Sequence, residues 1–487
     1  MCSSNDKHSG CCSRRTFLNT ATGASVGSVL SLSGLITTSA WAEESIKPCG
    51  PASKYTATLK AAFVRREEEY GMWWPGQVYD GKSALQNYKE KIIETAQSLG
   101  MKLDLRSEPI YSEEEADQWT AQAAREKPDG LLLVMLDRQQ HSWPTARKAA
   151  DIGIPTIIFS PVGTSFTTNT QYFANRQGVF VSSTSDFSQT AFGMKMIKAN
   201  AKLRETRYIV IKGEERRDDS IAGIGTSLRY IPANTFAEIY NKTSVTKEVK
   251  KIAGEYLRKA KKIHKANKQD VINGVKSYVV ARTILEQEEG DAITMDCLGA
   301  LHDKPISLPC ISWSRMLDHG IPAACEADLG AAVTHALVQY LFDRPGFQQD
   351  PVAETSAGGL IGAHCTCPTR LKGFDQRPEP FHIAHHHGNR DAVPIPRWKP
   401  GQRITVADVE LNPEVGKPHR MIISAGEVMK NISVPPAGGC VVSVLVKLDG
   451  VEQYLDYPGF HQIFFYGDYK KELTWYSNLF GIEPVVV

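Results

Sequence analysis

The sequence predicts an α/β chain in three parts: two open units on parallel sheets, then a β-rich, barrel-like C-terminal domain. Three observations predict it. From Tyr55 to Asp296 short unbroken apolar runs alternate with helical stretches, and runs without polar alternation are strands covered on both faces, as in parallel sheets. Beyond Pro345 the texture becomes strand- and turn-rich. At 487 residues the chain is also too long for one ordinary core.

In chain order, Ala61-Ala62-Phe63-Val64 is the first buried strand, followed by a helix over Ala84 to Leu99. Gly130 to Leu136 and Pro155 to Phe159 are the next strands, with a helix between them. These belong to a first Rossmann-like unit spanning 51–185. A second, spanning 186–345, begins with Tyr208-Ile209-Val210-Ile211, passes through a very basic helix around Lys247 to Lys268, and reaches Asp291 to Asp296. Lysines at that density solvate an exposed helix face. Leu329, Ala332, Val333, Ala336, Leu337, Tyr340 and Leu341 then fall on one helix face, with Glu326 at the start. The third part, 346–487, carries Arg403 to Val406, Cys440 to Val446 and Gln462 to Tyr466 as strands, and Pro400-Gly401 as a turn.

Charge excludes some functions. With 56 basic against 54 acidic residues, the chain has no field suited to nucleic acid or an anionic membrane, so a small neutral molecule is the expected partner. Residues 1–42 read as an address: Ser13-Arg14-Arg15-Thr16-Phe17-Leu18 precedes a mildly apolar run ending Ala40-Trp41-Ala42. That is a twin-arginine signal, which predicts export to the periplasm or beyond and no membrane span in the mature chain. Three of the ten cysteines lie in that segment. The remaining seven are an odd, sparse set that makes no disulfide framework, and Cys365-Thr366-Cys367 lacks a second pair at zinc-finger spacing, so buried structural thiols are expected.

Metal-competent side chains recur at element ends. Ala324-Cys325-Glu326-Ala327-Asp328 marks a helix start, Gly346 to Pro351 puts Asp350 before a proline in a turn or strand start, and Pro458-Gly459-Phe460-His461 opens an apolar strand. Taken singly, these are capping acids, turn chemistry and a structural histidine. Gly362-Ala363-His364-Cys365-Thr366-Cys367-Pro368 delivers His364 into a small-residue neighbourhood. Trp73-Trp74-Pro75-Gly76 and Arg138 are candidate sugar contacts, with core or interface packing the alternative for the tryptophans. The run Phe381 to His387 reads as adventitious metal-binding histidines.

In order and spacing, the Cys-Glu-Ala-Asp start, Asp350, the His-Cys-Thr segment, His461 before a strand ending Tyr466-Gly467-Asp468, and the closing Leu473 to Ile482 helix resemble the L-fucose isomerase family. The resemblance covers about the last 170 residues strongly and the rest loosely. It implies a divalent cation, best Mn2+, held by Glu326, Asp350 and His461. The similar L-arabinose isomerases imply His364 as a fourth, weaker ligand. It also implies an aldose–ketose interconversion through an enediol, with Glu326 and Asp350 as the proton-transferring carboxylates, and a homo-oligomer in which one subunit completes a neighbour's site. One departure stands out: Phe460 and Gln462 flank His461, where the family carries Asn and His, so the sugar need not be L-fucose. An exported, non-catalytic sugar-binding protein and an epimerase using the same enediol logic are the competing readings.

Overall fold

Each buried strand of the first sheet sends alternate side chains into different cores. In a computed structural model that describes residues 46, 49–73, 78–301, 306–386, 390–414, 416–433 and 440–487, Gly130–Met135 is buried along its whole length. Leu131, Leu133 and Met135 join one apolar cluster, and Leu132 and Val134 join another. Fully burying each such side chain contributes about 1.5–3 kcal/mol, which is why the run has no polar face. The twin-arginine segment and Trp74 lie outside the described residues.

The first sheet pairs five strands in parallel, in the spatial order Lys102–Leu105, Thr58–Val64, Gly130–Met135, Thr156–Ser160, Val179–Ser183. The second runs Ala323–Cys325, Ala292–Met295, Arg207–Ile211, Ser227–Ile231, Arg217–Ser220, parallel except for the last pair. Tyr208 and Val210 face the cluster shared with the first sheet, while Ile209 and Ile211 face the helices on the other side.

The basic stretch is not one helix. Thr246 caps Lys247–Lys259, and the chain then forms the short strand Lys262–His264 before Asn267 caps Lys268–Gln287. Lys247, Lys250, Lys251 and Lys259 are exposed, and Val249, Ile252, Ala253 and Tyr256 are buried, as a solvated face requires.

The third part is a closed barrel. Six antiparallel strands follow one another around it as Arg403–Glu410, Gln462–Tyr466, Phe347–Glu354, Gly359–His364, Val442–Leu448 and Arg420–Asn431, which returns to the first. Closure leaves no free edge within the ring. The C-terminal strand Glu483–Val486 adds in parallel outside Arg420–Asn431.

The helix Leu329–Phe342 sits against the barrel and is buried nearly all round, not on one face as its periodicity suggests. The cause is packing on two sides. Gly330 lets it approach so closely that a Cβ there would stand 2.6 Å from the Val409 carbonyl, and Thr334 Oγ1 accepts a hydrogen bond from Val409 N at 2.9 Å. Among the described residues no helix is long and apolar enough to cross a membrane.

Candidate metal centre

Strand register assembles most of the site. Gln349 pairs with Gln462 and Asp350 with Ala363, so Asp350 and His364 on two adjacent barrel strands stand level with His461, which immediately precedes the third. Asp350 thus lies inside the strand Phe347–Glu354, not in the turn or strand start that Pro351 suggests. The ladder to Gln462–Phe464 ends at Gln349, so the missing proline amide costs that ladder nothing.

Glu326 comes from the second sheet. It follows Ala323–Cys325 at the carboxyl end of a parallel strand, the edge where open α/β sheets gather ligands. The sequence puts it at the helix start, but the helix begins at Leu329, and Asp328 is the cap that accepts from Ala331 N at 2.8 Å. Glu326 and Ala327 instead form the connecting turn, both left-handed at φ 63° and 54°. Gln348 ties that turn to the barrel by accepting from Cys325 N at 2.8 Å. His461 is left-handed as well, at φ 52°, after Gly459 at φ 88°. Such backbone in residues other than glycine costs about 1–3 kcal/mol each and clusters at functional sites.

Four side chains meet. His461 Nε2 is 3.6 Å from Glu326 Oε2 and 3.2 Å from Asp350 Oδ1, and His364 Nε2 is 3.6 Å from Glu326 Oε1. None of these approaches has hydrogen-bond geometry: His461 Nε2, His364 Nε2 and Asp350 Oδ1 are buried without a hydrogen-bond partner. Polar atoms that converge without bonding one another are arranged as around a common cation, which would take the place of the histidine protons. The imidazoles are buried, and the Glu326 and Asp350 side chains are about a third exposed, so the carboxylates line the open side.

A further layer fixes these groups. Asp328 Oδ2 accepts from His461 Nδ1 at 3.0 Å, which points Nε2 into the site. Burial favours a neutral His461 ring, but the Asp328 and Asp350 carboxylates outweigh it and raise its pKa to about 10. Burial likewise opposes charge on Asp328, and its bonds to His461 and the Ala331 amide hold its pKa below the usual carboxylate value. Cys440 Sγ donates to Asp350 Oδ2 at 3.7 Å.

The departure around His461 has a visible consequence. Gln462 is fully buried and committed to structure, donating to the Pro458 carbonyl at 2.6 Å and accepting from Gln349 at 3.1 Å. Phe460 is 61% exposed, its ring centroid 4.4 Å from that of His461.

Arg138 is not brought to this cluster by any contact. Its guanidinium donates to the Gly163 carbonyl at 2.7 Å and lies 4.8 Å over the Phe166 ring. A cavity of about 420 Å3 against the paired strands Lys262–His264 and Phe381–His385, lined also by Ile395, Arg397 and Val441, includes none of the four converging residues. One site neighbour has no sequence signal: His335, fully buried with both ring nitrogens unpaired. Burial, with His364 nearby, lowers its pKa to about 3.

No family model and no curated protein matches the chain. Among solved structures, an ABC transporter solute-binding protein from Burkholderia multivorans, with an unknown ligand assigned as α-D-erythrofuranose, aligns over 60% of this chain and 95% of its own. At 10% identity and a TM-score of 0.19, that similarity carries no argument about fold or function.

Proposed function

We propose that the chain is an exported, metal-dependent isomerase that interconverts an aldose and a ketose of the L-fucose or arabinose type. One observation carries the reading: His364 Nε2 and His461 Nε2 are buried, unpaired and gathered at Glu326, and the unpaired Asp350 Oδ1 stands 3.2 Å from His461 Nε2. Each buried polar atom left unpaired costs about 1–3 kcal/mol, a cost that a shared cation removes. Carboxylates with imidazoles suit Mn2+ among the divalent ions.

When bound, such a cation supplies Lewis acidity to the sugar carbonyl and the neighbouring hydroxyl. The residues do the remainder. Asp328 keeps a proton on His461 Nδ1, so that Nε2 is the atom turned inward to exchange its proton for the cation. Glu326 and Asp350, on the open side of the imidazoles, are the pair that takes a proton from one sugar carbon and returns it to its neighbour, while the hydroxyl proton passes between the two sugar oxygens. Phe460 offers an exposed ring at the rim for the C–H face of a monosaccharide. Assembly as a homo-oligomer belongs to the proposal and gives Trp74 and Arg138 a route to a neighbouring subunit's sugar.

The test is ketose formation from L-fucose, D-arabinose and L-arabinose by protein loaded with Mn2+. Turnover that requires the metal and is lost in Glu326→Gln and His461→Ala supports the reading. Tight sugar binding with no conversion replaces it with a binding protein on the same scaffold.

A further inference from the structure

Two metal-like motifs play no part in the proposed isomerase chemistry, and the fold splits both of them. In Cys365-Thr366-Cys367, Cys367 goes into the barrel core and donates to the Pro368 carbonyl, whereas Cys365 joins the apolar cluster of the second sheet. In the histidine run, His385 pairs with Asp270 at 2.9 Å and His382 packs on His264. His386 turns inward and is 3% exposed. Its Nδ1 stands 3.9 Å from the sulfur of Cys310, the first residue of the helix Cys310–Asp318.

Cys310, Cys365 and His386 are all buried, and their ligand atoms lie within 4.8 Å of one another. From this geometry we infer that they form a second metal site, for a thiophilic cation such as Zn2+, on the far side of His364 from the carboxylates. His364 separates the two sets: its Nδ1 is 3.4 Å from Cys365 Sγ and its Nε2 is 3.6 Å from Glu326 Oε1.

The spacing fits the ion. A tetrahedral centre with Zn–S about 2.3 Å and Zn–N about 2.0–2.1 Å separates sulfur and nitrogen ligands by about 3.6 Å, so a contraction of a few tenths of an ångström from 3.9 Å suffices. Cys325, within 4.8 Å of Cys365 and His364, is a further thiol at hand for the fourth position. Ligand chemistry sorts the ions, since two sulfurs and an imidazole favour a soft cation and the Glu326 set a hard one. Loading releases the thiol protons of Cys310 and Cys365 to solvent and leaves the His386 proton on Nε2.

The test uses the full chain, reduced and freed of metal, titrated with Cd2+ while the ultraviolet thiolate-to-cadmium absorption is followed, then with Zn2+ in competition. The expected result is one equivalent bound with that absorption and displaced by Zn2+, and affinity at least about tenfold weaker in Cys310→Ser and Cys365→Ser. Cys367→Ser, a buried thiol outside the triad, should titrate like the parent. Zinc-edge X-ray absorption on the unmutated chain reads the sulfur ligands without relying on a variant that folds. No absorption, a zinc shell of oxygen and nitrogen only, equal loss in Cys367→Ser, or a Cys310–Cys365 disulfide in the isolated protein would each overturn the assignment.

Discussion

Asp328 Oδ2 and His461 Nδ1 are 3.0 Å apart, and that one bond links the cap of a helix to the imidazole that faces Glu326 and Asp350. Asp328 therefore serves two partners, the Ala331 amide and the ring. Its substitutions separate the two roles. Asn caps helices as well as Asp does, so Asp328→Asn should keep the cap, lose only the stability of the ion pair with His461, and weaken Mn2+ binding about 10–100-fold, as losing a carboxylate behind a metal-bound histidine does. Asp328→Ala should lose the same affinity and about 1 kcal/mol of stability besides. Calorimetric titration with Mn2+ beside a thermal melt reads both.

The left-handed turn at Glu326 and Ala327 stores strain that stability can expose. Ala327→Gly at φ 54° relieves about 1 kcal/mol of backbone strain but removes a buried methyl that contributes about 0.8 kcal/mol, so stability should fall by less than about 1 kcal/mol. A loss of about 2 kcal/mol, the methyl and the entropy cost of glycine with no strain relieved, would mean that the turn is not held in this conformation.

Phe460 is 61% exposed, so Phe460→Ala should leave the melting temperature within error. If its ring is a sugar platform, KM should rise several-fold with a smaller change in kcat, worth about 1 kcal/mol. An unchanged KM removes Phe460 from the site.

His335 sets a pH dependence. Its folded pKa lies near 3, below the ordinary 6.5, with burial as the chief cause. Between those values the unfolded chain takes a proton that the folded chain refuses, so its contribution to stability is whole above about pH 6.5 and declines as pH falls toward 3. Denaturant melts from pH 7 to 4 should show that decline, and His335→Gln should flatten it.

Strands buried on both faces were legible because their composition alone betrays them, and the convergence of Glu326, Asp350, His364 and His461 was legible only through the family resemblance that their order along the chain carries. The errors share one cause, tertiary contacts that local sequence does not record. Pro351 reads as a turn signal, yet it follows the point at which the neighbouring ladder stops, so Asp350 sits inside a strand. Glu326 reads as a helix cap because Asp328, two residues on, caps in its place. The helix Leu329–Phe342 reads as one-faced because nothing in it announces the barrel strand that covers its other side through Gly330 and Thr334. His335, inside that helix, is invisible for the same reason. Cys365 and Cys367 read as a pair, but one enters the second sheet's cluster and the other the barrel core.

The most direct test of the metal centre is diffraction from crystals soaked in Mn2+, with data collected at the manganese absorption edge. One strong anomalous peak is expected, bounded by Glu326, Asp350, His461 and His364 and lost in crystals of Glu326→Gln. No peak there at saturating Mn2+, or a dominant peak at His382 and His385 instead, would contradict it.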